Sequence, residues 1–162
     1  MLNPKIALIP GSFDPVTVGH CDLVVRAAKI FDKVYVTEFV NSAKTGFFSA
    51  DERLLMLRTA FEGLENVEVD ICDGLLADYA ASHNIGTIVK GSRSSSDFDY
   101  EMSLSLINRS INSELDTVII PTKAEYMHVS STMVRELIRY GADYSTCVPA
   151  GVGELIRSFR KN

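Results

Sequence analysis

The sequence predicts an α/β fold, a Rossmann-like, doubly wound, five-stranded parallel sheet with helices on both faces. Three observations predict it. Short apolar runs alternate with stretches of helical spacing along the whole chain, the pattern of βαβ units. The second of these runs is rich in β-branched and aromatic residues, as expected of strands buried on both faces. The length of 162 residues fits one domain, with no linker, fixed-period repeat or low-complexity tract inside it.

The elements follow in order. Lys5 to Ile9 reads as a buried strand. Gly19 to Phe31 places Leu23, Val24, Ala27, Ala28 and Phe31 at helical spacing. Val34 to Val40 is the second strand. Ser49 followed by Glu52 is a capping box, opening a helix to about Glu62. Val67 to Ile71 is the third strand. Leu75 to about His83 is a short helix, stopped near Asn84 and Gly86. Thr87 to Lys90 is the fourth strand, and Phe98 to about Ile111 is helical with Met102, Leu106 and Ile107 on one side. Thr117 to Ile120 is the fifth strand, ended by Pro121. Ser131 to Tyr140 is a helix with Gly141 just past its end, and a last helix after Pro149 carries Leu155, Ile156 and Phe159. Residues 1–162 are read as one domain, with the C-terminal helices from about 131 packing on it. In such a sheet ligands bind at the carboxyl ends of the strands, near a topological switch point. Chemistry is therefore expected near residues 10–19, 41–48, 72–76, 91–97 and 121–130.

Composition narrows the classes. A hydrophobic content of 46% with only 10 Gly and 5 Pro excludes a mostly disordered or collagen-like chain. The balance of 16 Lys+Arg against 21 Asp+Glu gives a net charge of −5, so a broadly basic, nucleic-acid-binding surface is not expected. A local cluster of cations can still hold an anion. Cys21, Cys72 and Cys147 are too few and too scattered for a disulfide framework or a paired-cysteine zinc site, and read as free thiols in a reducing compartment. No apolar run approaches the ~20 residues of a membrane span, and Met1 to Lys5 lacks a signal-peptide layout. The expectation is a soluble, cytoplasmic protein with no membrane partner.

Two common phosphate motifs are missing: there is no G-x-x-x-x-G-K-[ST] loop and no G-x-G-x-x-G after the first strand. That strand instead enters Pro10-Gly11-Ser12-Phe13-Asp14-Pro15-Val16-Thr17-Val18-Gly19-His20. Gly11 permits close backbone approach, Ser12 offers a hydroxyl and an N–H, and the helix opening at Gly19 and His20 favours an anion. From these residues alone, a tight turn capped by Thr17 is the competing reading.

The segment resembles the Gly-Ser/Thr-Phe-Asp-Pro and Thr-x-Gly-His signature of the small nucleotidyltransferases, relatives of the class I aminoacyl-tRNA synthetases. Val129-Ser130-Ser131-Thr132-Met133-Val134-Arg135 resembles their second signature, Ile-Ser-Ser-Thr/Ser-x-Val/Ile-Arg/Lys. Lys90-Gly91-Ser92-Arg93, with Asp97, Tyr100 and Glu101, resembles a block of one branch, the bacterial phosphopantetheine adenylyltransferases, and Asn108-Arg109 lies where that branch has Asn-Arg/Gln. The resemblance runs from Lys5 to Pro149. Three positions depart from it: the branch usually has Arg at Lys90, often Asn at Val18, and often a second Lys at Thr45.

The resemblance implies transfer of the adenylyl group of ATP to 4′-phosphopantetheine, giving dephospho-coenzyme A and pyrophosphate. It implies His20 as the catalytic group on the α-phosphate and Lys44 as a phosphate clamp. It assigns ATP to Ser12, Phe13, His20, Gly91, Ser92, Arg93, Glu101 and the loop Tyr126, Met127, His128, Val129, Ser130, Ser131 and Thr132. It assigns phosphopantetheine to Ser12, Lys44, Leu75, Leu76, Lys90 and Asn108. Hydroxyls and free N–H groups of Ser130, Ser131 and Thr132 are expected to converge on phosphate. Asp97 is expected to orient Arg93 or assist magnesium, which would arrive with ATP; no protein metal ligands are expected. The family also implies a homohexamer and feedback inhibition by coenzyme A. The apolar side of the Phe98–Ile111 helix is a candidate interface, although burial inside one subunit explains the same pattern. The alternatives are a related transferase acting on nicotinate mononucleotide or glycerol 3-phosphate, and an ATP-binding module without catalysis.

Overall fold

A computed structural model describes residues 1–40 and 45–160. The elements are β1 (Asn3–Gly11), α1 (Val18–Ala28), β2 (Lys33–Phe39), α2 (Ala50–Phe61), β3 (Val67–Cys72), α3 (Leu76–Ser82), β4 (Ile85–Ser92), α4 (Ser95–Ile111), β5 (Asp116–Pro121), α5 (Ser131–Arg139) and α6 (Ala150–Phe159). The five strands form one sheet in the order β3-β2-β1-β4-β5, with every pair parallel. This is the doubly wound α/β arrangement that the sequence predicts.

Helices cover both faces because the strands are apolar on both. In β1, Ala7 and Ile9 enter one core cluster and Leu8 the other, as a two-residue period requires. The first cluster takes side chains from α1, α2, α5 and α6, among them Val24, Met56, Val134 and Ile156. The second takes Ala77, Tyr79 and Ala80 from α3. The strand order reverses between β1 and β4, so their carboxyl ends, at Gly11 and Ser92, diverge into a crevice.

Several bounds differ from the sequence reading: β1 and β4 extend beyond Lys5 to Ile9 and Thr87 to Lys90 at both ends, and α1 ends at Ala28 rather than Phe31. α4 begins three residues earlier than Phe98, because Ser94 caps it by accepting the Asp97 N–H at 3.2 Å. Every residue of α4 is exposed or half-buried, and Leu106 is 67% exposed. The apolar side of this helix is therefore not core of the same subunit. The 121–130 loop also contains a short 3-10 turn, Ala124–Tyr126. Among the described residues, no helix is long and apolar enough to cross a membrane.

Candidate active site

A cavity of about 510 Å³ opens at the switch point, lined by the turn after β1, the start of α1, the end of β4, the first turns of α4 and the loop into α5. The chain enters it through a constrained turn. Phe13 adopts a φ of 45°, in the left-handed region that favours glycine. Its ring is buried and packs edge-on against His20, with centroids 5.2 Å apart. A side chain on Gly11 would meet that buried ring at 3.0 Å and force it to give way, which a glycine avoids.

His20 is the third residue of α1 and closes its N-terminus. The Thr17 hydroxyl accepts the His20 N–H at 3.4 Å, and His20 Nδ1 accepts the Thr17 N–H at 3.0 Å. The bland reading of Thr17 as a cap is thus correct, and His20 is part of the same cap. An Nδ1 that accepts carries no proton, so the neutral ring carries it on Nε2. Burial, followed by the charges of Arg93 and Lys90, lowers the His20 pKa to about 4. At neutral pH His20 is an uncharged Nε2–H donor at the cavity wall.

The cations come from β4 and its loop. Lys90 lies at the strand end, with Nζ 3.3 Å from Glu101 Oε2. Arg93 Nε lies 3.3 Å from Asp97 Oδ2, and Arg93 Nη1 donates to the Val129 carbonyl at 3.2 Å. Asp97 therefore orients Arg93. Arg93 in turn ties the β4 loop to the segment before α5.

The serine-rich start of α5 works differently from the expectation. Ser130 caps the helix by accepting the Met133 N–H at 3.1 Å, and Ser131 donates to the Pro15 carbonyl at 2.8 Å. Thr132 accepts from Arg135 at 3.1 Å, and Arg135 also donates to the Asp14 carbonyl at 2.6 Å. The three hydroxyls serve the architecture. What the helix start leaves for an anion is the Ser131 and Thr132 N–H groups, which have no intrahelical partner.

Of the residues singled out, Ser12, Phe13, His20, Lys90, Gly91, Arg93, Glu101, Tyr126, Val129, Ser130, Ser131 and Thr132 line this cavity. Ser92, Met127, His128, Leu75, Leu76 and Asn108 are not among the lining residues. Ser92 turns its hydroxyl to the Ser94 carbonyl at 3.0 Å. Leu75 is 63% exposed at the start of α3, while Leu76 packs on the second core cluster, which holds Leu8 of β1, Tyr35 of β2 and Ile88 of β4. Asn108 lies two turns beyond Glu101 on the same helix face. Lys44 lies outside the described residues.

Sequence reasoning missed Asp22 and Arg26, and gave Arg135 no role beyond its place in the second signature; all three also line the cavity. Asp22 is 2.7 Å from Lys123 and 3.3 Å from Arg26, whose guanidinium donates to the Pro121 carbonyl at 2.8 Å. This network fastens α1 to the end of β5. The available signal was the i,i+4 spacing of Asp22 and Arg26. Arg139, the last residue of α5, pairs with Glu136 at 2.6 Å and stacks over the Phe47 ring. Burial pushes the Cys21 thiol up to about 12, so it is no nucleophile at neutral pH. Among the described residues, no group of three His, Cys, Asp or Glu side chains could hold a metal ion.

Comparison with known proteins assigns the family. The cytidylyltransferase-like family matches residues 8–137. The phosphopantetheine adenylyltransferase of Caldanaerobacter subterraneus subsp. tengcongensis is 42% identical over 159 residues, covering 98% of this chain and 99% of the relative. The chain belongs to the phosphopantetheine adenylyltransferase family. A solved structure from Vibrio parahaemolyticus, assigned as a nicotinate-nucleotide adenylyltransferase, shares the fold with a TM-score of 0.72 at 20% identity, covering 94% of this chain and 91% of that one. In this member of the phosphopantetheine adenylyltransferase family, His20, Lys90 and Arg93 line one cavity.

Proposed function

We propose that the chain transfers the adenylyl group of ATP to 4′-phosphopantetheine, releasing pyrophosphate and dephospho-coenzyme A. The observation that carries this is the convergence of a neutral histidine donor and two cations on one cavity at the β1–β4 switch point, in a chain with a full-length relative of that activity. The acceptor phosphate is anionic at neutral pH and needs no general base. Its oxygen forms a bond to the α-phosphorus as the bond from that phosphorus to the bridging oxygen breaks, and pyrophosphate takes the electron pair. The protein's task is alignment and charge stabilisation.

In this reading His20 donates from Nε2 to a non-bridging α-phosphate oxygen. Its neutrality spares the site a titrating charge. Arg93 binds the polyphosphate of ATP, and Lys90 leaves Glu101 to hold the acceptor phosphate. Glu101 then meets the adenosine ribose. Ser12, Gly91 and the opening of α5 add N–H donors. Magnesium arrives with ATP and takes its ligands mainly from phosphate oxygens and water. The enzyme works in the cytoplasm as a homohexamer, assembled in part through the uncovered apolar side of α4, and is inhibited by coenzyme A.

The test is pyrophosphate release with ATP, magnesium and 4′-phosphopantetheine, with product mass determined. Dephospho-coenzyme A from the wild type supports the reading. Turnover only with nicotinate mononucleotide or glycerol 3-phosphate would overturn it.

A further inference from the structure

One buried acid has no part in the mechanism above. Glu38 is 0% exposed, at the site end of β2, beside Gly11 in the β1–β2 register and Ile71 in the β2–β3 register. It continues the line of Val34 and Val36, both core residues of the first cluster, where an aliphatic side chain would pack without cost. A carboxylate there needs a counter-charge.

Arg53, from α2, supplies it. Its Nη2 is 2.7 Å from Glu38 Oε1, and its Nη1 donates to the Ser12 carbonyl at 3.3 Å. The guanidinium also bounds the space at Gly46, where a side-chain carbon would lie 3.4 Å from it. One planar group thus joins the end of β2 to the turn after β1. The geometry needs an arginine, because a lysine ammonium is a point charge and does not span two acceptors as a fork does.

The pair is poorly made as a stability device. Among the described residues, both Glu38 oxygens and Arg53 Nε lack an aligned hydrogen-bond partner. A buried ion pair with unsatisfied atoms is generally matched or surpassed in stability by apolar residues of similar volume. Its other contact is the Ser12 carbonyl, and Ser12 lines the cavity.

We propose that Glu38 and Arg53 are a positioning pair for adenylyl transfer: Glu38 holds the guanidinium, and the guanidinium fixes the Ser12 carbonyl and with it the direction in which the turn presents its donors. This rests on the adenylyl-transfer reading above. Neither side chain lines the switch-point cavity.

The test compares wild type, the Glu38→Leu/Arg53→Met double variant and Arg53→Lys. Melting temperature, ATP affinity by calorimetry, and kcat and KM for both substrates are measured on the full chain. The double variant is expected to melt at or above the wild-type temperature and to lose at least tenfold in kcat. Arg53→Lys, which keeps the charge without the fork, is expected to lose a similar factor. A folded double variant with kcat within twofold of wild type overturns the proposal. Should the double variant fail to fold, Arg53→Lys decides by the same criterion. If wild type makes no dephospho-coenzyme A, the functional reading fails, and ATP affinity alone decides the positioning role. A tenfold weakening in Arg53→Lys carries it, and an unchanged affinity overturns it.

Discussion

The backbone N–H of Thr17 lies 3.0 Å from Nδ1 of His20 and donates to it. That bond sets the tautomer, closes the helix and leaves Nε2–H for the substrate, so one side chain carries a structural and a chemical role. His20→Ala removes both. Loss of one preorganised donor to developing charge is expected to lower kcat by about 10²–10³, with the KM for ATP changed by less than about threefold if the donor acts mainly in the transition state. Loss of the Nδ1 half of the capping box, with Thr17 still in place, is expected to cost about 1 kcal/mol of stability. Steady-state kinetics and thermal melts read the two effects separately; a variant that loses stability but keeps turnover would leave His20 as a cap alone.

Ser131 has the opposite profile. Its hydroxyl holds the Pro15 carbonyl at 2.8 Å, across 116 residues of sequence. Ser131→Ala is expected to lower stability by about 1 kcal/mol, which is roughly 2–4 °C in melting temperature for a chain of this size. The KM for ATP is expected to change less than about twofold, because the N–H that faces the anion is kept. A large rise in that KM with an unchanged melt would place the hydroxyl on the phosphate instead.

The contrast between these residues shows what local spacing could reveal. The strands were legible because Ala7, Leu8 and Ile9 are apolar toward both faces, and the start of α2 because Ser49 and Glu52 form a capping box. Alternation of strands and helices marked the loops after the strands, and the Gly11–His20 and Val129–Arg135 motifs singled out two of the segments that wall the site. The division of labour within it did not, because it depends on distant contacts. Arg135 reaches the Asp14 carbonyl across 121 positions, and Arg53 reaches that of Ser12 across 41. Periodicity likewise marks one side of α4 as apolar without saying what covers it. Glu38 was hidden inside a strand otherwise read as apolar.

Lys90 stands where the family usually has arginine, and it pairs with Glu101 at 3.3 Å. A lysine must exchange that carboxylate for the acceptor phosphate. An arginine can face a phosphate with two parallel N–H groups and still reach the acid. Lys90→Arg is therefore expected to lower the KM for phosphopantetheine by about threefold to tenfold, or ~0.7–1.4 kcal/mol. Initial-rate measurements over a range of acceptor concentrations check this. An unchanged or higher KM would mean that Lys90 is already matched to its site.

Phe98, Met102, Leu106 and Ile107 are exposed along α4. Neighbouring apolar side chains on one helix mark an association surface more often than a free one. Leu106→Glu is expected to shift the protein to smaller species in sedimentation velocity while leaving its melting transition cooperative. An unchanged sedimentation profile would exclude Leu106 from the interface.

Glu38 and His20 give stability opposite dependences on pH. Burial raises the Glu38 pKa to about 7, against the lowering effect of Arg53 and with a smaller raising contribution from Asp14 and Asp51. Between its unfolded value of 4.5 and about 7, the folded state holds more of this proton, so stability falls as pH rises. His20 is lowered from 6.5 to about 4, so the folded state holds less of its proton. Its contribution is fully present above 6.5 and is lost as pH falls toward 4. The two slopes oppose each other between about 4.5 and 6.5. Glu38→Gln removes the falling slope, and stability relative to wild type should then climb with pH across that window, by up to about 1.4 kcal/mol per unit. His20→Ala should tilt the difference the other way. Denaturant unfolding of the three proteins at pH 5, 6 and 7 reads both slopes. Parallel curves would show that Glu38, on β2, and His20, on α1, titrate alike in the folded and unfolded chain, and would overturn both assignments.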